Sequence, residues 1–395
     1  MVGADARPAF PWSEQIFERG PFLRVLEILG RGGRPEEHYL RGTLVVALLA
    51  YLPMPLLTFI HDGFRLGPDT RLMLQDAGVA ARCLVALPAL VLADLFCGGR
   101  LTAIARYFLD SGLTDHADRP RLEAMLASAR RWSSSPIVAM VIIALLVVVT
   151  VSMFEYLPRN EMPRWTGGGT AATLTPAGWW HALVSTQLVL ALLLGWLWRL
   201  IVWTRYLTQL AHFPLKLSAA HPDKAAGLLF LGHSVIAFAA VGFAIGAMFA
   251  GFVANHVWHL DVPLMSFRNS AATLIFAVLV VVSAPLLVFM PRLSREWTNG
   301  IQLYGHLAAR FAVVFEQKWF RQKFPVDPAT LDANDFSAAI DLSSYAQNAY
   351  LMRVYPADIR SFVFLAGMTA LPLVPVIIFS IPLTAVLDTI SHALF

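Results

Sequence analysis

Charge is scarce in this chain. Only 14% of its 395 residues are Asp, Glu, Lys or Arg, where a soluble domain carries roughly 25%. Hydrophobic residues make up 57%, a balance that excludes an ordinary soluble enzyme. Cysteine is nearly absent as well. Cys83 and Cys97 fall in or beside one apolar run, which argues against a disulfide framework. Short alternating segments of the β-barrel kind are missing, so apolar runs of about 20 residues must cross a bilayer as helices. Residues 1–41 are charged and contain no apolar core of a secretory signal. There is no Walker loop, no ladder of spaced arginines and no potassium filter. No Ser-His-Asp set can be assembled from spacing, and no catalytic residue is assigned.

The predicted fold is an all-α integral membrane bundle of about seven transmembrane helices with helices at the cytoplasmic surface. Residues 1–41 form a lead-in whose Glu14–Leu29 piece is amphipathic and suits a membrane surface. Spans 1 and 2 occupy 42–97, at about 42–60 and 80–97, and a charged helical section fills 98–135. Spans 3 to 6 lie within 136–290, at about 137–157, 179–203, 234–257 and 270–290, with a polar elbow at 204–233. A helical appendage covers 291–360. Its Trp297, Ile301, Tyr304, Ala308, Phe311, Phe315 and Trp319 make one stripe, so span 6 is expected to continue outward as a single helix. The last span, in 361–395, carries Pro372, Pro375 and Pro382, which leaves a re-entrant path open.

Lys and Arg number six in 1–41, six in 98–135, four in Arg199 with the elbow, and eight in 291–360. That places 24 on one face against six on the other, and explains the net charge of +4 without nucleic acid as a partner. The asymmetry predicts a bacterial inner-membrane protein with a cytoplasmic N-terminus and, with seven spans, a periplasmic C-terminus. The centres of spans 3, 5 and 6 hold no ionisable residue, and span 4 offers only Ser185, Thr186 and Gln187 there. Proton- or sodium-coupled carriers ordinarily bury an acid or base at that depth. Asp94 lies near the inner end of span 2, where pairing with Arg100 is expected.

The elbow contains His221-Pro-Asp-Lys224, followed by an apolar run to Gly232. His-Pro-Asp marks J-domain co-chaperones, but those need a soluble basic helix before the motif, and here a membrane span precedes it. Locally, Pro222 breaks the chain and Asp223 suits the N-terminus of the next helix. A ligand or gating role for His221, Asp223, Lys224 and Gly232 is the alternative. The segment His221–Gly232, with Met352-Arg353, Pro356 and Leu371-Pro372-Leu-Val-Pro375, resembles uncharacterised bacterial polytopic membrane proteins over roughly residues 180–390. Their segment reads HPD-x-x-(A/G)-G-L-x-F-L-G. The resemblance implies the fold and no activity; its glycine-rich form has glycine where this chain has Ala226.

Gly242, Gly246 and Ala250 put small residues on one face of span 5, permitting close helix approach, either within the chain or in a homo-oligomer. Five of the 11 histidines fall at the predicted outer boundary. That boundary collects His61-Asp62, Glu155, His181, Asn255-His256, His259, Asp261, Asp388 and His392. Imidazole with carboxylate is the ligand set of a divalent transition metal, and His256 and His259 stand one helical turn apart. The competing explanation is an aromatic interface belt, marked by Trp179, Trp180 and Trp258, in which amphipathic histidine also sits. Three functions are therefore expected: a channel-like or carrier-like protein, a metalloenzyme or metal-binding subunit using the outer cluster, and a sensor or scaffold acting through 291–360.

Overall fold

Within hydrocarbon an apolar run has to satisfy its own backbone N–H and C=O groups, and the helix does so inside one segment. Every regular element among the described residues is helical. The structure is a computed structural model and describes residues 35–156, 163–167, 173–321 and 335–380. The amphipathic piece 14–29, the turn expected around 327–335, and both Asp388 and His392 lie wholly or largely outside those residues.

Six helical runs are long and apolar enough to cross a membrane: α1 (Leu40–His61), α2 (Ala77–Asp110), α3 (His116–Met153), α4 (Pro176–Ala211), α5 (Leu229–His259) and α6 (Leu264–Phe320). These are the helices of a polytopic membrane protein. Beyond them lie α7 (Asp335–Tyr350), α8 (Ile359–Ala370) and α9 (Leu373–Ser380). The pair α8–α9 bends by 51° and makes a seventh span if taken as one. The bend falls at Pro372, which cannot donate to the helical ladder and crowds the preceding turn. Just before α8, the Arg353 amide donates to the Lys224 carbonyl in the elbow at 2.7 Å. At the far end of α9, Ser380 accepts from the Trp258 indole at 3.3 Å. The bent pair therefore runs from the elbow end of the bundle to the His259 end.

The interior gathers around α2, α4 and α5, where Phe108, Leu101, Trp203, Tyr206 and Ala244 are fully buried. By contrast α3 is peripheral, exposing Ile137, Met140, Val141 and Val148. A helix in lipid gains nothing from hiding such residues, so polar contacts carry more of its attachment. One such contact is the Gln187 amide donating to Thr150 Oγ1 at 2.8 Å. Asp94 does not take Arg100, which lies six residues on and so about 240° around the same helix. Its partner is Arg199 of α4, and both side chains are almost fully buried.

The stripe on α5 is used within the chain. A Cβ at Gly246 would stand 1.9 Å from the Thr369 carbonyl oxygen of α8, and one at Gly242 would stand 2.6 Å from Thr369 Oγ1. Ala250 is buried nearby against α9's Val376. The run α6 does continue past its apolar part, but not as the single helix expected: a 3-10 segment, Ala284–Phe289, with Pro285 joins the helix Arg268–Ser283 to the helix Met290–Glu316, and α7 folds back along the latter. Phe315, Trp319 and Phe336 close the end of that hairpin, with ring centroids 4.8 to 6.2 Å apart.

The apolar side of the elbow is buried by protein, with Phe213, Leu215, Ala219, Ala220 and Leu228 inside, whereas His212, Lys216, Ser218 and His221 are exposed. Ala219 faces Gly300 of α6, where a Cβ would come within 2.2 Å of its methyl carbon. Arg292 donates to the carbonyls of Ala211, Phe213 and Leu215, capping the C-terminus of α4 with a cation. Within the motif, Lys224, Ala226 and Gly227 take φ values of 57°, 55° and 92°. Glycine accepts that region freely, whereas the other two cost about 1 kcal/mol or more each.

Asp223 holds this turn. Its carboxylate accepts from the amides of Ala225 (2.9 Å), Gly227 (3.0 Å) and Leu229 (3.1 Å), and lies 2.8 Å from His221 Nδ1. Burial pushes its pKa up, but the three amides and His221 together outweigh burial and hold it below the usual carboxylate range. Asp223→Ala is expected to cost about 2 kcal/mol, the upper end for a lost cap. Since the folded-state pKa is depressed, the contribution is complete above the ordinary carboxylate range and disappears as pH falls through the folded value. Melting of the purified protein should thus show a gap between wild type and Asp223→Ala that closes on acidification. A gap independent of pH would contradict this assignment.

Candidate functional site

The outer-end histidines do not gather into one set among the described residues. His256 Nδ1 bonds the Phe252 carbonyl oxygen at 2.9 Å, and its ring packs against Phe252 and Phe267. His259 Nε2 lies 3.0 Å from the Gln75 carbonyl oxygen. Asp261 is exposed in the following turn at φ 50°, and Glu155 is exposed at the end of the helix Pro136–Tyr156. His61 does meet two carboxylates, Asp62 and Asp69, with ligand atoms within 4.8 Å of one another. One Asp62 oxygen is already taken by the amide and hydroxyl of Thr70, at 2.9 and 2.7 Å. His61 is exposed and the two carboxylates are half-buried, and among the described residues no further His, Cys, Asp or Glu joins the group.

His181 goes elsewhere. It opens a π-helical segment, His181–Ser185, in α4, and α2 carries another, Ala81–Ala86. A π turn inserts an extra residue, widening the helix and displacing side chains from the regular 3.6-residue rows; such turns recur at functional sites. Both segments line one cavity of about 220 Å³. Its polar part comprises Arg82, Cys83, His181, Ser185 and Thr186; its apolar part comprises Val189, Leu190, Leu193 and Met248.

The wall of this cavity is held from behind. Asp76 accepts from the amide of Val79 (3.0 Å), the indole of Trp165 (3.2 Å) and the amide side chain of Asn255 (2.8 Å). Asn255 in turn accepts from the Ala77 amide at 2.8 Å. One buried carboxylate therefore ties the start of α2 to α5 and to the segment 163–167. Trp165 then packs edge-on against His181, centroids 5.5 Å apart. Ser185 is occupied, donating to the Ala50 carbonyl.

Two polar atoms in the cavity wall are buried and have no hydrogen-bond partner among the described residues: His181 Nδ1 and Thr186 Oγ1. Leaving such a group unsatisfied costs about 1–3 kcal/mol. Buried polar atoms are otherwise almost always paired, so two on one cavity indicate a place where a water or a solute completes the bonding. Arg82 makes one hydrogen bond, Nε to the Gly78 carbonyl at 3.2 Å. It has no carboxylate partner within ion-pair distance among the described residues.

Of the expected site residues, only His181 belongs to this cavity. Ser185 and Thr186 stand out in the sequence as polar residues of span 4 but not as site residues, and Arg82, Cys83 and Met248 are not picked out there for a site at all. The available signal was Arg82 itself, a cation inside an otherwise apolar segment. His221, Asp223, Lys224 and Gly232 sit at the opposite end, where Asp223 and Lys224 have the backbone partners described above. A Cβ on Gly232 would approach Ala357 Cα to 3.0 Å, so this glycine marks where the elbow meets the start of α8. No family model matches the chain, and neither a curated protein nor a solved structure is significantly similar to it.

Proposed function

We propose that this protein is a carrier-like membrane protein that binds a small solute with a polar end in the cavity between the two π-helical segments. The observation carrying the reading is the pair of unpartnered buried atoms, His181 Nδ1 and Thr186 Oγ1, on a cavity that also holds Arg82. Small-molecule sites are concave, mostly apolar, and carry a few polar groups that fix orientation. A carrier fits better than an open channel, because Val189, Leu190, Leu193 and Met248 line the same space. A solute bound there meets side chains that must move before it can proceed. Discontinuous helices near a binding site are a recurring feature of carriers.

The reading is tested in proteoliposomes loaded with a panel of small solutes that bear one polar group. Protein-dependent, saturable uptake is expected for some of them. Thr186→Leu, which removes the hydroxyl and fills the space, should lower that uptake by roughly tenfold or more while melting stays near wild type. Uptake that ignores this substitution, or no uptake from any member of the panel, would overturn the proposal.

The charge asymmetry supports an orientation with the elbow and α7 in the cytoplasm and the cavity near the periplasmic side of a bacterial inner membrane. With α8 and α9 as one bent span, a reporter fused after Phe395 reads periplasmic. A cytoplasmic signal would reject the odd number of crossings.

A further inference from the structure

We infer that the occupant of this cavity is a monocarboxylate with a short apolar tail. The inference rests on the solute-site reading and adds the chemical class.

Charge points first to an anion. Among the described residues Arg82 is the charged side chain in the lining, and no carboxylate lines the cavity with it. The nearby acid, Asp76, is engaged by three donors from Val79, Trp165 and Asn255. A guanidinium with one backbone bond retains further N–H donors, and its planar fork matches the two oxygens of a carboxylate. A cationic occupant would meet Arg82 uncompensated in a poorly solvated place. That repulsion weighs against metal binding here, despite Cys83, His181 and Met248 sharing the wall.

The neutral groups agree with this assignment. His181 in the Nδ1–H tautomer and the Thr186 hydroxyl each offer a donor, and each lacks an acceptor now. One carboxylate has lone pairs for Arg82 and for both of these. Size and shape restrict the remainder. A cavity of about 220 Å³ is smaller than the roughly 300–1,000 Å³ of drug-sized sites. Its other lining, Val189, Leu190, Leu193 and Met248, suits a few methylenes rather than a second polar end. The same chemistry could be presented by a free short acid or by the carboxyl end of a fatty acid from the bilayer; the volume favours the former.

The test measures binding to the full-length protein in nanodiscs, by calorimetry and by thermal shift, with sodium butyrate, butyramide and sodium decanoate. Butyrate should bind saturably and raise the melting temperature. Butyramide, nearly the same shape but uncharged, should bind roughly 10- to 100-fold more weakly, as expected for loss of a charge-assisted pair. Arg82→Gln should weaken butyrate by a similar factor and butyramide much less, so that the gap between the two ligands narrows. Should Arg82→Gln not fold, the butyrate–butyramide comparison on the wild-type chain decides alone. Equal binding of the two, lost together in Thr186→Leu, would overturn the carboxylate assignment and leave the solute site standing. Decanoate binding more tightly than butyrate would overturn the short tail in favour of a bilayer fatty acid. If none of the three binds and the solute panel shows no uptake, both readings fall together.

Discussion

Asp94→Ala is expected to destabilise the protein by about 3–5 kcal/mol, and the double substitution Asp94→Leu with Arg199→Leu to recover most of that loss. The two side chains are 8% and 9% exposed, so neither charge is hydrated in the folded protein. Their attraction offsets a large desolvation cost only while both are present. Arg199 is further fixed over Trp196, its Cζ 4.5 Å from the ring centroid, and the Trp196 indole donates to the Leu90 carbonyl at 2.9 Å. Removing the acid therefore takes the carboxylate away from a buried guanidinium that sits over an aromatic ring held by its own hydrogen bond. Replacing both removes charge from an apolar interior and restores packing. Thermal melting of the two single variants and the double variant forms a mutant cycle, and a coupling of about 2 kcal/mol or more is expected. Additive losses would mean that each residue acts separately, and the pair would lose its structural role.

A comparable loss is expected at the contact between α5 and α8. With the Gly246 Cβ position 1.9 Å from the Thr369 carbonyl oxygen, even alanine requires the two backbones to separate. Overpacking a fitted core costs typically 1–3 kcal/mol. Here the obstacle is main chain rather than a side chain that can rotate, so Gly246→Ala should reach about 3 kcal/mol and Gly246→Leu should exceed it. Gly195 and Gly367 supply the controls, since nothing lies within 4 Å of a Cβ at either. Alanine at those positions should stabilise by roughly 0.5–1 kcal/mol through helix propensity. If Gly246→Ala melts like Gly367→Ala, the close approach of α5 and α8 is not present in the folded protein.

Membrane class and the approximate places of the spans were legible in the sequence, because the bilayer imposes a length and an apolar composition on each segment by itself. The stripe from Trp297 to Trp319 was legible for a similar reason: its period belongs to one helix. Asp223 as a local cap could also be read, since its acceptors' partners lie within six residues. What tertiary structure decided is which polar groups meet. Asp94 could be read as a partner for Arg100 until rotation of α2 turned it toward α4. Similarly, His256, His259 and His181 all fall at one boundary in linear order, yet the helix faces send the first two outward and the third inward. The cavity depends on two π-helical segments, and a one-residue widening of a helix leaves no mark in hydropathy. Composition and span length are properties of single segments, whereas the meeting of Arg82, His181 and Thr186 depends on how separate helices rotate and pack, and packing alone brings them to one wall.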